Sequence, residues 1–244
     1  MKRLKFGSIA IAAVFLTMLM AGTAGASFTF DDIDFWVGTG SNQAALVVDW
    51  NDSKDPQSLA WGYRWDGTAS GEDMMRAIAG SGIIKEPFGG ATTGNWDNGA
   101  DGRLYARMTT WWGNTARTVY GLGYDLDNGG GTFVPGYEGK ENGYATDPDD
   151  HYAEGWYTGY WSYWLEDDLN NIIGDSWSYS GTGMTGRTLT DGCVDGWSYS
   201  DFASFGAGAP PDEPVPAPVP IPSAVWLLGS GLVGLIGIRR RSRI

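Results

Sequence analysis

Cysteine and histidine are almost missing from this chain of 244 residues, which has one of each. A single cysteine excludes a disulfide within the chain, and a single histidine excludes the usual histidine-rich zinc site. We expect Cys193 to be a small buried side chain, with an intermolecular disulfide or a reactive thiol as the alternatives. His151 follows Asp149 and Asp150 in a segment typical of a polar loop, and we expect a structural or solvated histidine there rather than a catalytic one.

Recognisable catalytic motifs are also missing. The sequence contains no G-x-S-x-G, no H-E-x-x-H and no phosphate-binding loop. We therefore expect the protein not to be an enzyme. Glu72, Glu154 and Glu166 have aromatic neighbours in the sequence, and they leave a glycoside hydrolase that uses a carboxylate pair as a less favoured alternative.

The first 26 residues have the layout of a secretory signal peptide. Lys2, Arg3 and Lys5 form a basic n-region, residues 9–20 are apolar, and residues 24–26 form a small-residue cleavage site. We expect export and cleavage after residue 26. The alternative is a permanent N-terminal membrane helix, which the short apolar run disfavours.

The carboxyl end combines a proline-rich linker with an apolar stretch and a basic terminus. Prolines are frequent in residues 209–222, and residues 221–238 carry no charge. An α-helix of that length spans roughly 27 Å, which is enough to cross the hydrocarbon core of a bilayer. The basic residues that follow favour the cytoplasmic side. Residues 223–244 are therefore predicted to be a transmembrane helix with a basic tail, and the rest of the chain to lie outside the inner membrane.

This carboxyl end resembles the PEP-CTERM sorting domain, in the variant with a V-P-x-P-A-x-x-W-L core. The matching residues are Val219, Pro220, Ile221, Pro222, Trp226, Arg239, Arg240 and Arg241. The namesake Pro-Glu-Pro is replaced here by Pro-Ala-Pro at residues 216–218 and Pro-Ile-Pro at residues 220–222. The resemblance implies export in a Gram-negative bacterium, anchoring in the inner membrane and processing by an exosortase-type protease. It also implies a final location at the cell surface or in the extracellular matrix, and a link to extracellular polysaccharide and biofilm.

Basic residues are scarce between the two ends. Seven of the 16 Lys and Arg residues lie in the ends, whereas all 29 Asp and Glu residues lie between them, so residues 27–222 carry a formal charge of −20. Such a charge disfavours nucleic acid and anionic lipid as partners. It suits an extracellular protein that is solvated or that binds cations or neutral sugars.

Residues 27–208 are predicted to form one β-rich domain of short strands and glycine-rich turns. Strands are expected at residues 28–37, 43–50, 58–65, 103–112 and 115–124, with hairpins joining the second to the third and the fourth to the fifth. Ser70, with Asp73 three residues later, predicts the start of the one convincing helix. The pattern predicts a mainly β protein, a single β-sandwich or jelly-roll-like domain with one short helix, between a signal helix and a C-terminal transmembrane helix. Residues 61–67 and 71–73 resemble a pattern of uncharacterised secreted bacterial proteins, which implies no activity.

Aromatic residues are abundant in this domain, which holds 12 of the 13 tryptophans. In the aromatic run at residues 152–165, the candidates for stacking on sugars are Trp156, Tyr160, Trp161 and Trp164. Non-catalytic binding of extracellular polysaccharide is therefore the favoured function. The alternative is that all these rings fill the core of a structural or interaction protein without a small ligand. The tetrapeptide W-S-Y-S occurs at residues 177–180 and again at residues 197–200, which is too few copies for a repeat architecture.

Acid-rich turns provide weak candidates for a calcium site. Asp97 and Asp101 lie in N-W-D-N-G-A-D-G, and Asp125 and Asp127 lie in D-L-D-N-G-G-G. A third such segment is D-P-D-D at residues 147–150. Calcium prefers several oxygen ligands from a turn, but none of these segments fits the EF-hand loop. We therefore expect no cofactor, with Ca²⁺ as the alternative.

Overall fold

The computed structural model describes residues 27–79, 82–84, 99–111, 116–127, 133–136, 141–167, 170–201 and 208–219. Within these ranges the protein is mainly β, with one α-helix and three sheets, which confirms the predicted class. The strands are β1 (Trp36–Gly38), β2 (Asn42–Asp49), β3 (Ser58–Trp65), β4 (Gly82–Ile84), β5 (Leu104–Trp111), β6 (Ala116–Tyr124), β7 (Phe133–Val134), β8 (Tyr144–Ala145), β9 (His151–Glu154), β10 (Gly159–Glu166), β11 (Ser178–Tyr179), β12 (Cys193–Asp201) and β13 (Val215–Pro216). The helix α1 is Gly71–Ala79, and 3₁₀ turns lie at Phe30–Asp32 and Met184–Gly186.

The largest sheet has seven strands, with the apolar β2 near its centre. Its order is β1-β3-β2-β12-β10-β11, and β13 pairs with β3. β2 and β3 form the predicted antiparallel hairpin, whereas β2 and β12 run parallel with Ala44 opposite Cys193. The last six residues of β2 are all buried. Burial on both faces explains why this strand is a continuous apolar run rather than an alternating one.

The second sheet has four strands and shares a core with the first. Its order is β4-β5-β6-β9, and β5 and β6 form the second predicted hairpin. Leu104 and Leu122 of this sheet belong to the same buried cluster as Leu46 and Trp61 of the large sheet. The third sheet is the small pair β7 and β8.

Helix α1 begins where the sequence predicts, because Ser70 and Asp73 cap it reciprocally. The Asp73 carboxylate accepts hydrogen bonds from the amide of Ser70 at 2.8 Å and from its hydroxyl at 2.7 Å. The Ser70 hydroxyl in turn accepts from the amide of Asp73 at 3.2 Å. These bonds satisfy amide groups that the first helical turn leaves without partners. The apolar face of the helix packs into the core through the buried side chains of Met74, Met75 and Ile78.

The segment at residues 28–37 is a strand only at its C-terminal end, so the expectation of one continuous strand is wrong. Phe30–Asp32 is a 3₁₀ turn, and β1 begins at Trp36. The Asp32 carboxylate accepts from the amide of Thr29 at 2.8 Å and from its hydroxyl at 2.7 Å. Such local bonds compete with the ladder of a sheet and favour a turn.

Residues 208–219 lie against the domain, although they belong to the proline-rich linker of the sequence. β13 runs parallel to β3, and the amide of Ala217 donates to the carbonyl of Ala60 at 2.9 Å. The Ala217 side chain is fully buried. The linker also contacts the start of the domain, where the amide of Phe28 donates to the Glu213 carboxylate at 3.1 Å. The described part of the linker therefore contributes the two-residue strand β13 to the large sheet and packs against the domain.

His151 and Cys193 are both fully buried. The His151 ring stacks on Trp50 with 4.5 Å between centroids, and its nitrogens lie 2.9 Å from a carboxylate oxygen of Asp52 and 2.9 Å from the carbonyl of Pro56. This confirms a structural histidine, although it begins β9 rather than lying in a polar loop. Burial raises the pKa of the Cys193 thiol to about 11, which fits the expected buried side chain.

Candidate functional site

An open cavity of about 330 Å³ lies beside β10, β11 and β12. Its wall contains six aromatic rings, those of Trp156, Tyr160, Trp161, Tyr163, Tyr179 and Trp197. Thr118 of β6 and the turn at residues 180–183, S-G-T-G, complete the wall. No lining residue carries a charge. The volume is in the range of small-ligand sites, and the wall combines apolar faces with hydroxyl groups.

The floor of the cavity belongs to the protein core. β10 and β12 are antiparallel, so Tyr163 lies opposite Trp197, and their rings stack with 4.4 Å between centroids. Trp161 lies opposite Tyr199, and their rings are tilted by 59° with 5.3 Å between centroids. Trp161, Tyr163 and Trp197 are only 3%, 5% and 2% exposed. These rings are packed on most sides, which makes the floor rigid.

Tyr163 is held in place by an ionic network that runs from buried Asp195 through Arg187 to the exposed Asp167. Its hydroxyl donates to the Asp195 carboxylate at 2.5 Å, and Arg187 Nε donates to the same carboxylate at 3.2 Å. Arg187 also pairs with Asp167 at 2.5 Å. Burial raises the pKa of Asp195 to about 6 despite these bonds, and burial raises the pKa of Tyr163 well above its usual range. The Tyr163 hydroxyl is therefore a fixed neutral donor behind the cavity floor.

The rim carries the more exposed rings. Tyr179 is 51% exposed, and Trp156 and Tyr160 are half-buried. The Glu141 carboxylate accepts hydrogen bonds from the amides of Trp156 and the two residues that follow it. A carboxylate that collects three amide donors fixes the backbone that carries Trp156.

The turn after β11 is fixed by its own hydroxyl. The amide of Ser180 donates to the carbonyl of Tyr163 at 2.8 Å, which continues the pairing of β11 with β10. The Ser180 hydroxyl donates to the carbonyl of Thr182 at 2.7 Å and accepts from its amide at 3.2 Å. These local hydrogen bonds hold residues 181–183 along one side of the cavity.

Three of the four predicted sugar-stacking residues line this cavity. They are Trp156, Tyr160 and Trp161. Trp164 does not line it: the ring is 8% exposed, and its Nε1 donates to the Ser162 hydroxyl at 2.9 Å. Its ring packs edge-on against Tyr179 at 5.5 Å between centroids.

Sequence reasoning missed Tyr179, Trp197 and the turn at residues 180–183. The signal that could have found the first two is the repeated W-S-Y-S tetrapeptide. Its first copy supplies Tyr179 and its second copy supplies Trp197. The two copies lie on either side of β10, because β10 pairs with both β11 and β12.

The three glutamates considered for hydrolysis do not line the cavity. Glu72 pairs with Arg76 at 2.7 Å on the first turns of α1. Glu154 forms a buried ion pair with Arg107 and accepts from the amide of Gly143 at 2.8 Å. Glu166 accepts from the amide of Gly174 at 2.7 Å and from the hydroxyl of Ser176 at 3.2 Å. Each carboxylate is thus engaged by its own structural partners.

The calcium candidates separate into two groups. Asp101 is fully buried and accepts from Trp61 Nε1 at 2.8 Å and from Arg103 Nε at 3.2 Å, so its carboxylate orders the core. Asp97 lies outside the described residues. Asp125 and Asp127 meet Asp150, which belongs to the third acid-rich segment, and one carboxylate oxygen of each lies within 4.8 Å of the others.

The predicted sorting motif falls mostly outside the described residues. Val219 is described and is 52% exposed. The others, Pro220, Ile221, Pro222, Trp226, Arg239, Arg240 and Arg241, lie outside, as do residues 1–26. In the part of the chain that the structure describes, no helix is long and apolar enough to cross a membrane.

No family model, curated protein or solved structure matches the chain.

Proposed function

We propose that this protein is an exported, non-catalytic binding protein that holds a segment of extracellular polysaccharide in the aromatic cavity. The observation that carries the proposal is the wall of the cavity, which combines six aromatic rings with the hydroxyl-bearing residues Thr118, Ser180 and Thr182. Aromatic faces stack on the C–H faces of sugar rings, and hydroxyl and backbone groups bond to the sugar hydroxyls. A rigid floor and a fixed rim favour binding, because little side-chain freedom is lost when the ligand enters.

The chemistry of the wall favours a neutral polysaccharide. The lining residues carry no charge, so no cationic side chain is present in the wall to pair with a uronate or sulfate group. The formal charge of −20 on residues 27–222 repels polyanions. The same charge argues against nucleic acid and anionic lipid as partners.

The two ends of the sequence support export and attachment. The signal peptide directs the chain across the inner membrane of a Gram-negative bacterium. Residues 223–244 then anchor it there until an exosortase-type protease processes the PEP-CTERM-like tail, and the protein reaches the cell surface or the extracellular matrix. We further propose that the exported region is one β-sandwich, since its two larger sheets share a core. The parallel pairing of β2 with β12 departs from an antiparallel jelly roll.

Replacement of the most exposed ring of the wall tests the binding function. Tyr179→Ala removes a stacking surface without opening the core, because Tyr179 is 51% exposed. We expect the affinity of the full-length chain for its glycan to fall about tenfold, which corresponds to about 1.4 kcal/mol. The affinity is measured by the quenching of tryptophan fluorescence on addition of neutral glucan, mannan and galactan oligosaccharides. Tyr144→Ala is the matched control, because Tyr144 is 55% exposed and does not line the cavity.

A wild-type protein that binds no member of a broad neutral glycan panel would contradict the proposal. The second candidate, a structural or interaction protein without a small ligand, would then be favoured by the burial of Trp161 and Trp197. Release of reducing sugar by the wild type, abolished by Glu→Gln at one of the three glutamates, would instead indicate a hydrolase.

A further inference from the structure

Away from the cavity, three aspartates from two separate loops meet at one point. Asp125 and Asp127 directly follow β6, and Asp150 directly precedes β9. These two strands pair antiparallel with Tyr124 opposite His151, so the pairing itself brings the adjacent acids together. One carboxylate oxygen of each aspartate lies within 4.8 Å of the others. Like charges at this spacing repel one another, which disfavours the ionised trio unless a cation lies between them.

The Asp150 carboxyl gives a second, independent indication that this point of the fold takes a ligand. Asp150 is 1% exposed, and its Oδ1 accepts from the amide of Leu126 at 3.0 Å, so the carboxyl is held against the turn between Asp125 and Asp127. Its Oδ2 is buried and has no hydrogen-bond partner among the described residues. A buried carboxylate oxygen without a donor is costly, and in folded proteins such an atom usually contacts an ordered water or an ion.

The ammonium group of Lys54 lies close to Asp150 but does not bond to this oxygen. Lys54 Nζ donates to the backbone carbonyl of Asp150, and it lies 3.9 Å from the carboxylate of Asp52. The Asp150 Oδ2 atom is therefore left without a hydrogen-bond or ionic partner among the described residues.

We propose that Asp125, Asp127 and Asp150 bind one calcium ion, with the unpartnered Oδ2 of Asp150 as a ligand. Calcium takes six to eight oxygen ligands in flexible geometry, and carboxylates from two loops suit it. Asp127 is exposed, so water completes the coordination on that side. Magnesium requires a near-ideal octahedron and gives up its water reluctantly, which makes it the poorer fit. The ion ties the loop after β6 to the loop before β9 and so stabilises this edge of the four-stranded sheet.

Thermal unfolding of the full-length chain with and without Ca²⁺ tests the site. After treatment with a chelator, addition of about 10 mM CaCl₂ is expected to raise Tm by about 3–8 °C, given the weak affinities typical of extracellular calcium modules. The same concentration of MgCl₂ is expected to give a smaller rise. Asp150→Asn and Asp127→Asn are each expected to remove most of the Ca²⁺-dependent rise. Asp149→Asn is the matched control, because Asp149 is exposed in the same loop and lies outside the trio.

Several results would overturn the site. One is the absence of a Ca²⁺-dependent shift in the wild type, and another is an equal shift in the wild type, Asp127→Asn and Asp149→Asn. A third is an equal response to Ca²⁺ and Mg²⁺, which would indicate general screening of acidic charge. Asp127 is exposed, so Asp127→Asn decides the matter even if Asp150→Asn fails to fold. Glycan binding is a separate measurement, and its failure would leave this result unchanged.

Discussion

Glu166 is a buried carboxyl that shares a hydrogen bond with a second carboxyl. It is 1% exposed at the end of β10. Burial, and next the hydrogen bond with Asp175, raise the pKa of Glu166 to about 7, from an ordinary value of 4.5. The same bond lowers the pKa of the exposed Asp175. The proton therefore resides on Glu166, which keeps the turn at residues 174–176 attached to the sheet by accepting from Gly174 and Ser176.

The raised pKa of Glu166 predicts that the free energy of unfolding depends on pH. Because the folded protein holds the Glu166 proton more tightly than the unfolded chain, the stabilisation is complete below about pH 4.5 and is lost as pH rises through about 7. The free energy of unfolding of the wild type is expected to fall between about pH 4.5 and about pH 7. Glu166→Gln mimics the protonated acid, so we expect this fall to be smaller in the variant by on the order of 1–2 kcal/mol. Urea unfolding at several pH values measures it. Below pH 4 the variant and the wild type should unfold alike, and an equal slope in both across the window would contradict the assignment.

At the scale of the secondary-structure element, helix α1 depends on its first cap. Ser70→Ala removes the hydroxyl that accepts from the amide of Asp73 and donates to its carboxylate. We expect the free energy of unfolding to fall by about 1 kcal/mol. A urea transition with a lower midpoint and an unchanged slope would show it. Ser178→Ala, at an exposed position of β11, is the control and should unfold like the wild type; a matching loss there would count against the cap.

Local sequence signals predicted the elements whose stabilising bonds are local. β2, β3, the β5–β6 hairpin and α1 all lie within a residue or two of their expected bounds. Apolar runs, period-two alternation and a Ser70–Asp73 cap are properties of neighbouring residues, so a single sequence contains them. The segment before β1 was the exception, since the Asp32 carboxylate bonds to Thr29 and folds a strand-like sequence into a turn.

The cavity and the acidic trio could be predicted only in part, because both depend on pairings between distant segments. The aromatic run indicated Trp156, Tyr160 and Trp161, but only the pairing of β10 with β11 and β12 adds Tyr179 and Trp197. Likewise, Asp150 joins Asp125 and Asp127 through the pairing of β6 with β9. No periodicity in a sequence specifies which strands become neighbours.

For the whole molecule, the packing of residues 208–219 limits where the proposed processing of the tail can occur. β13 is paired with β3, Ala217 is buried, and Arg103 donates to the carbonyl of Pro218. A protease requires an extended, accessible segment, so a cut within residues 208–218 would first have to detach this strand. Pro218 and Val219 are the exposed positions that follow Ala217 in the described residues.

Intact mass of the mature protein from the outer fraction tests both ends together. We expect residues 1–26 to be absent and any C-terminal cut to fall after Val219. Protein from the inner-membrane fraction, which still carries the tail, is the comparison. A mature product that ends between residues 208 and 216 would contradict the packing of β13 as an integral strand. Full-length, freely soluble chain in the cytosol would contradict export itself.

The hydrogen bond between Phe28 and Glu213 joins the start of the domain to its last described segment. The first and last described segments of the domain therefore lie side by side. Under the proposed anchoring by residues 223–244, the domain would be attached to the membrane on the side where its own chain begins. Because its two described ends are adjacent, the domain could be inserted into a loop of another protein without distorting either fold.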